Sequence, residues 1–179
     1  MIIIRVLFLL IIGFMAFAPC TCAEEPEFSE YEIKAGFIYN FAKFVEWPPE
    51  ISRDDNKALT LCISGANPFG NSISVISNKT VQNRRLEIRT LGKNKDFKGC
   101  NMVFISSSER ELLSQLFEML RNSPVLTIGD SKDFAQNGVM INLVMDGSKV
   151  RFEVNTESAR RARISISSKL LKLAKTVYK

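Results

Sequence analysis

Apolar residues recur at Ile33, Phe37, Ile38, Phe41, Phe44 and Val45, the spacing of one helix face. Ser29 and Glu32 stand ahead of this stripe as a capping box, in which each side chain can bond the other residue's backbone N–H. Trp47-Pro48-Pro49 ends it, because proline cannot continue a helix and restricts the residue before it. A helix is therefore predicted from near Ser29 to near Glu46. Ala58 to Ser64 reads as a buried strand. The turn Gly65-Ala66-Asn67-Pro68-Phe69-Gly70 leads into a helix ending near Asn78, with Pro68 suited to its first position. Arg85 to Leu91 alternates, with Leu86, Ile88 and Thr90 on one face, which predicts a strand with one solvated side. A polar loop from Gly92 to Gly99 precedes a second buried strand, Cys100 to Ser106.

Ser108 is the expected cap of a helix over Glu109 to Asn122, with Leu112, Leu113, Leu116, Phe117 and Leu120 inward. Pro124 opens a strand from Val125 to Gly129. Asp133 to Gln136 forms one helical turn, and Asn137-Gly138 a turn. Two strands, Val139 to Met145 and Lys149 to Asn155, flank Asp146-Gly147, a strong hairpin signal. Thr156 is read as the cap of a short helix reaching Ala162. From Ser168 to Tyr178, Leu170, Leu171, Leu173, Ala174, Val177 and Tyr178 share a helical face, with Lys169, Lys172, Lys175 and Lys179 opposite. Such a helix packs on a sheet or lies on acidic lipid, and ordinary amphipathicity favours packing. Alternating strands and helices predict an α/β fold, a three-layer sandwich with a mainly parallel mixed sheet, N-terminal and C-terminal helices, and a late β-hairpin.

Residues 1–23 change this picture. Arg5 is followed by an apolar run from Val6 to Ala18, Pro19 breaks it, and Thr21-Cys22-Ala23 supplies the small residues of a cleavage site. The run is short for a membrane span of roughly 20 residues. A cleaved signal peptide at 1–23 and a single domain at 24–179 are the expectation, with export from the cytoplasm. Loss of Arg5 from the 24 basic residues leaves 23 against 19 acidic, a mild excess of +4 that gives no reason to expect nucleic acid. Cys20 and Cys22 leave with the leader. Cys62 and Cys100 remain as one pair in an oxidising compartment, read as a structural disulfide.

The chain contains no histidine, which removes Ser-His-Asp and Cys-His catalysis, His-ligated zinc and a histidine pH switch. Gly65 to Gly70 sits between strand and helix, where open α/β sheets bind ligands, but it is neither a dinucleotide fingerprint nor a phosphate loop. A candidate crevice nonetheless joins Gly65, Asn67 and Gly70 with Asp130. Asp130 and Asp133 have no third ligand or nucleophile nearby, and Ser106, Ser107 and Ser108 have no base. No catalytic residue, metal or cofactor is expected. Asn40 and Lys43 interrupt a greasy helix that Trp47 extends, and these three residues form a candidate interaction patch.

The segments Lys34-Ala35-Gly36-Phe37-Ile38-Tyr39-Asn40-Phe41-Ala42-Lys43-Phe44-Val45-Glu46-Trp47-Pro48 and Val150-Arg151-Phe152-Glu153-Val154-Asn155, the latter running on to Ile166-Ser167-Ser168-Lys169-Leu170-Leu171-Lys172-Leu173-Ala174, carry a specific resemblance. Leu61-Cys62-Ile63, Cys100 to Ser106 and Val125 to Asp130 extend it in order. Together they resemble the YfiR family of exported proteins. The resemblance implies a periplasmic repressor that binds the periplasmic sensor domain of an inner-membrane diguanylate cyclase, lowering cyclic di-GMP and biofilm signalling. It also implies an outer-membrane lipoprotein that titrates the repressor, and it maps the family's first disulfide onto Cys62 and Cys100. A second disulfide seen in some members has no counterpart here. A homodimer is a further expected assembly. The alternative from the residues is a periplasmic small-molecule binding module using the strand-end crevice.

Overall fold

The computed structural model describes residues 28–52 and 58–179, so the expected leader, with Cys20 and Cys22, lies outside the described residues. The chain opens with helix α1 (Glu30–Phe44), and Ser29 caps it with both halves of the capping box formed. Strand β1 (Val45–Glu46) and the one-turn helix α2 (Pro49–Ser52) follow. The main sheet is then built from β2 (Leu59–Ser64), β3 (Thr80–Val81), β4 (Arg84–Thr90), β5 (Met102–Ile105), β6 (Leu126–Gly129), β7 (Ile141–Asp146), β8 (Lys149–Asn155) and β10 (Thr176–Tyr178). Helix α3 (Leu113–Met119) precedes β6. Helix α4 (Thr156–Arg161), β9 (Ser165–Ile166) and α5 (Ser168–Leu173) precede β10.

The strand order is β10-β8-β7-β6-β5-β2-β4-β3. β4, β2, β5, β6 and β7 run parallel, while β3, β8 and β10 run the other way. The expected three-layer α/β architecture is present. Parallel strands buried on both faces read as continuous apolar runs, and Met102–Ile105 and Leu126–Gly129 are buried throughout. One face carries α1, whose Ala35, Ile38, Phe41 and Ala42 meet Leu61, Phe104 and Phe152 in the larger core. The rings of Phe41 and Phe152 stand edge to face at 5.1 Å. The other face carries α3, whose Leu113 and Leu116 pack with Val103, Ile105 and Phe134. The disulfide Cys62–Cys100 lies in this second layer and ties β2 to the loop entering β5.

Several expectations are corrected. The helix after Pro68 is a short 3₁₀ segment, Ser72–Ile76, that stops before Asn78. The helix placed after Ser108 starts as a 3₁₀ segment, Ser107–Leu112, and its cap is Ser106, whose hydroxyl accepts from the Ser108 N–H. The changed helical pitch turns Leu112 outward. Thr156 opens α4 rather than capping it, because the Asn155 carboxamide accepts from Ser158 N–H at 2.8 Å. The amphipathic tail is not one helix. It turns extended at Ala174, and Thr176 to Tyr178 pair with Glu153 to Asn155 as a parallel edge strand. The β3–β4 hairpin was not anticipated. Its turn residues Gln82 and Asn83 both take positive φ, 48° and 63°, which gives a twist matched to the strands. The Gln82 amide then donates to the Ala42 and Val45 carbonyls, two acceptors that the end of α1 leaves open.

Candidate functional site at the carboxyl ends of the parallel strands

The chain leaves β2 toward β4 on one side and returns to β5 on the other, so the carboxyl ends of β2 and β5 form the switch point at which open α/β sheets take ligands. Here that place is filled from within. Gly65 follows β2 with φ +89°, and a Cβ there would stand 2.5 Å from Ser108 Oγ and 2.7 Å from Glu109 Cγ. Ser108 Oγ accepts from the Ala66 N–H at 3.0 Å. Glu109 is buried, and Lys95 reaches over from the 92–99 loop to pair with its Oε1 at 2.5 Å and to donate to Ser64 Oγ at 3.3 Å. Glu109 Oε2 is buried and has no hydrogen-bond partner. The side chains of this corner thus occupy the space an anion would take.

Asp130, at the end of β6, belongs to a second cluster. Its Oδ2 accepts from Lys34 Nζ at 2.8 Å and from the Tyr31 hydroxyl at 3.2 Å. Lys34 also pairs with Glu30 at 2.6 Å. Lys34 and Asp130 are almost wholly buried, with 4% and 6% of their side-chain surface exposed. Burial on its own would lower the Lys34 pKa. The hydrogen bonds and charges of Asp130 and Glu30 outweigh it and raise the pKa above the ordinary lysine value. The Tyr31 phenol is pushed up as well, first by burial and then by the Asp130 charge. The Tyr31 ring meets Phe69 edge to face at 5.3 Å, so this one residue links the Asp130 cluster to the 65–70 turn.

The four crevice candidates therefore do not line one open site. Gly65 lies under Ser108 and Glu109. Asn67 is exposed and accepts from the Phe69 N–H, closing the turn. Gly70 is exposed with open space at its Cβ position. Asp130 is committed to α1. Tyr31, Lys34, Lys95 and Glu109 are not among the site residues expected from the sequence. Lys34 carried a signal, since it shares a helical face with Ile38 and Phe41, both of them buried. Of the interaction-patch candidates, Asn40 and Lys43 are exposed on α1. Trp47 is not part of that surface: it is buried, and its indole N–H donates to the Asn101 carbonyl at 3.3 Å. Among the described residues no cluster of three or more Cys, Asp or Glu could hold a metal. An open groove of about 520 Å³ runs between α4, β9 and α5 over Ala159, Ile164, Ile166 and Leu171.

Cys62 and Cys100 are bonded, with Cα atoms 5.8 Å apart. The Arg89 guanidinium lies against both sulfurs and donates to the Asp96 and Lys98 carbonyls. This fastens the 92–99 loop, and with it Lys95, to the bridge. The sequence model of YfiR/HmsC-like proteins matches residues 31–175, which takes in every element described above except Glu30 at the start of α1 and the whole of β10. The chain belongs to the YfiR/HmsC-like family. YfiR/HmsC-like proteins are non-catalytic periplasmic regulators of cyclic di-GMP signalling, and a disulfide in the core fits that oxidising compartment.

Two solved structures share the fold at 10% identity. A conserved domain protein from Vibrio cholerae O1 biovar El Tor has a TM-score of 0.55, with 84% of this chain and 61% of that chain covered. The ABC domain in complex with L-Trp from Streptococcus pneumonia has a TM-score of 0.53, with 78% and 60% covered. The YfiR/HmsC-like chain thus spans about three fifths of each, and these likenesses concern the fold.

Proposed function

We propose that this YfiR/HmsC-like protein is a repressor that binds the periplasmic sensor domain of an inner-membrane diguanylate cyclase and holds its cytoplasmic output off. The observation that carries the reading beyond the family is the self-filled switch point. Lys95, Ser108 and Glu109 occupy the position where a doubly wound domain would take a small ligand, so recognition falls to the outer surface. Residues 1–23 direct export, and an outer-membrane lipoprotein competes for the repressor. The test is affinity capture on detergent-solubilised membranes with the chain recovered from periplasm, read by mass spectrometry. Recovery of an inner-membrane protein with a cyclase domain is expected. Its absence at good membrane-protein coverage would overturn the reading.

A second reading has one observation in its favour, the open groove between α4, β9 and α5. A small-molecule module there predicts a melting temperature that rises with ligand, by the linkage of binding to the folded state.

A further inference from the structure

Helix α1 shows a second stripe to solvent, opposite its core face. Phe44 on this stripe is exposed, as are Asn40 and Lys43 beside it. Helix α5 runs back alongside α1. At one end the Ser167 N–H bonds the Phe44 carbonyl at 3.0 Å. At the other the Lys175 N–H bonds the carbonyl of Phe152, whose ring packs on Phe37 of α1 at 5.9 Å. The outer side of α5 carries Lys169, Lys172 and Leu173, and Leu173 is 64% exposed, a large apolar side chain left in water. On the other flank of α1, the ammonium groups of Lys43 and Lys79 stand 5.2 Å and 5.4 Å from the Tyr39 ring centre. That ring gathers both lysines onto the same face.

Among the described residues Lys43, Lys79, Lys169 and Lys172 make no ion pair, whereas Lys34, Lys95 and Lys175 each do. The acids of α1 are engaged: Glu30 with Lys34, and Glu32 in the cap. This face therefore holds four unpaired positive charges around exposed Phe44 and Leu173. A second copy of the chain does not suit it, because a two-fold pairing would set lysines against lysines. The described grooves open elsewhere, one between α4 and α5 and others beside α3, so the face offers helical ridges rather than a slot for a peptide.

We propose that this face is a docking surface for an anionic lipid bilayer, with Lys43, Lys79, Lys169 and Lys172 at the headgroup level and Phe44 and Leu173 inserted between them. Lysines flanking an exposed apolar ridge are the surface that peripheral proteins lay on acidic lipid. The inference shares only the periplasmic location with the repressor reading. A bilayer contact would hold the protein beside a membrane partner, but it does not depend on which partner that is.

The test is cosedimentation of the full chain, recovered from periplasm, with two kinds of vesicle. One is phosphatidylethanolamine with roughly one-third phosphatidylglycerol, and the other is phosphatidylcholine alone. Partition onto the anionic vesicles only is expected, lost at about 0.5 M salt, where screening is nearly complete beyond a few ångströms. Lys169→Glu with Lys172→Glu should reduce partition at least about tenfold, and Leu173→Ser should reduce it with the charge of the face unchanged. Lys93→Glu with Lys132→Glu, exposed positions outside this face, should leave it unchanged, as should all melting temperatures. Equal binding to both vesicles, or partition untouched by the Lys169 and Lys172 reversals, would overturn the proposal. So would capture of an acidic protein domain through these lysines with no vesicle binding. Cyclase capture undiminished in the reversed variants would leave the repressor reading standing whatever the vesicle result, so the two readings fail separately.

Discussion

Lys34→Met removes the cation of the most deeply buried ion pair described. In the wild type, Asp130 accepts from Lys34 at 2.8 Å and from Tyr31 at 3.2 Å, with 6% of its side chain exposed. The substitution leaves that carboxylate with one neutral donor. Stranding a buried charge in this way costs about 3–5 kcal/mol. The lost Glu30 contact adds little, because Glu30 is 42% exposed and such helical pairs contribute only about 0.3–0.5 kcal/mol. Lys34→Met combined with Asp130→Leu removes both charges and should recover to within about 1 kcal/mol of wild type or exceed it. Urea unfolding at neutral pH measures all three proteins, and the buried Trp47, the chain's one tryptophan, supplies the fluorescence signal. A single variant losing less than about 1 kcal/mol would show that the cluster behaves as solvated surface charge. A double variant no better than the single would show that packing, not charge, is what Lys34 supplies.

The same cluster sets the alkaline limit. Lys34 and Tyr31 both have folded-state pKa values above their ordinary 10.5 and 10.0. Their contribution is complete below those values and is lost as pH rises through the raised ones, so the melting temperature should fall as pH climbs above about 10. The double variant with Tyr31→Phe should flatten that fall. Cys62→Ser opens a link across 38 residues and should cost about 4 kcal/mol in the chain-entropy account; a melting temperature indifferent to reductant would refute it. Gly65→Ala, at φ +89° with Ser108 and Glu109 in the way, should lose about 1–3 kcal/mol by displacing Glu109 from Lys95. Gly36→Ala, inside α1 with nothing within 4 Å of its Cβ position, should gain about 0.5–1 kcal/mol. Thermal melts of the two variants side by side check both signs.

Where local chemistry and tertiary packing agree, the fold could be read from the residues. The capping box of Ser29 and Glu32, the Pro48-Pro49 stop and the Asp146-Gly147 turn each act within a few residues, and each appears where expected. The tail fails for the opposite reason. Leu170 to Tyr178 has helical spacing, but the edge of β8 offers unpaired backbone groups, and Thr176 to Tyr178 pair with them instead. A three-residue gain in ladder hydrogen bonds overrides a propensity difference of tenths of a kcal/mol per residue. Ser108 shows the same at a single side chain, bonding Ala66 across 42 residues rather than the helix it was expected to cap. Asp130 stood out in the sequence, but its meaning required Lys34, 96 residues earlier. No spacing rule links two charges that only the topology brings together.

The functional consequence follows from where the charges went. A doubly wound sheet presents its carboxyl ends as a ready crevice, and two buried or half-buried ion pairs of the described residues are gathered there: Lys34 with Asp130 and, at the end of β2 and β5, Lys95 with Glu109. Both pairs brace rather than bind, since their partners are each other. The Asp130 cluster pins the start of α1 to β6, and Gln82 and Ser167 hold its other end. These anchors tie both ends of α1 to the sheet, and its outer ridge faces solvent. A regulator built this way acts by rigid-body docking of a surface rather than by closing over a ligand. Lys34→Met should accordingly weaken vesicle partition only in step with its loss of stability, while substitutions on the outer face weaken partition at unchanged stability.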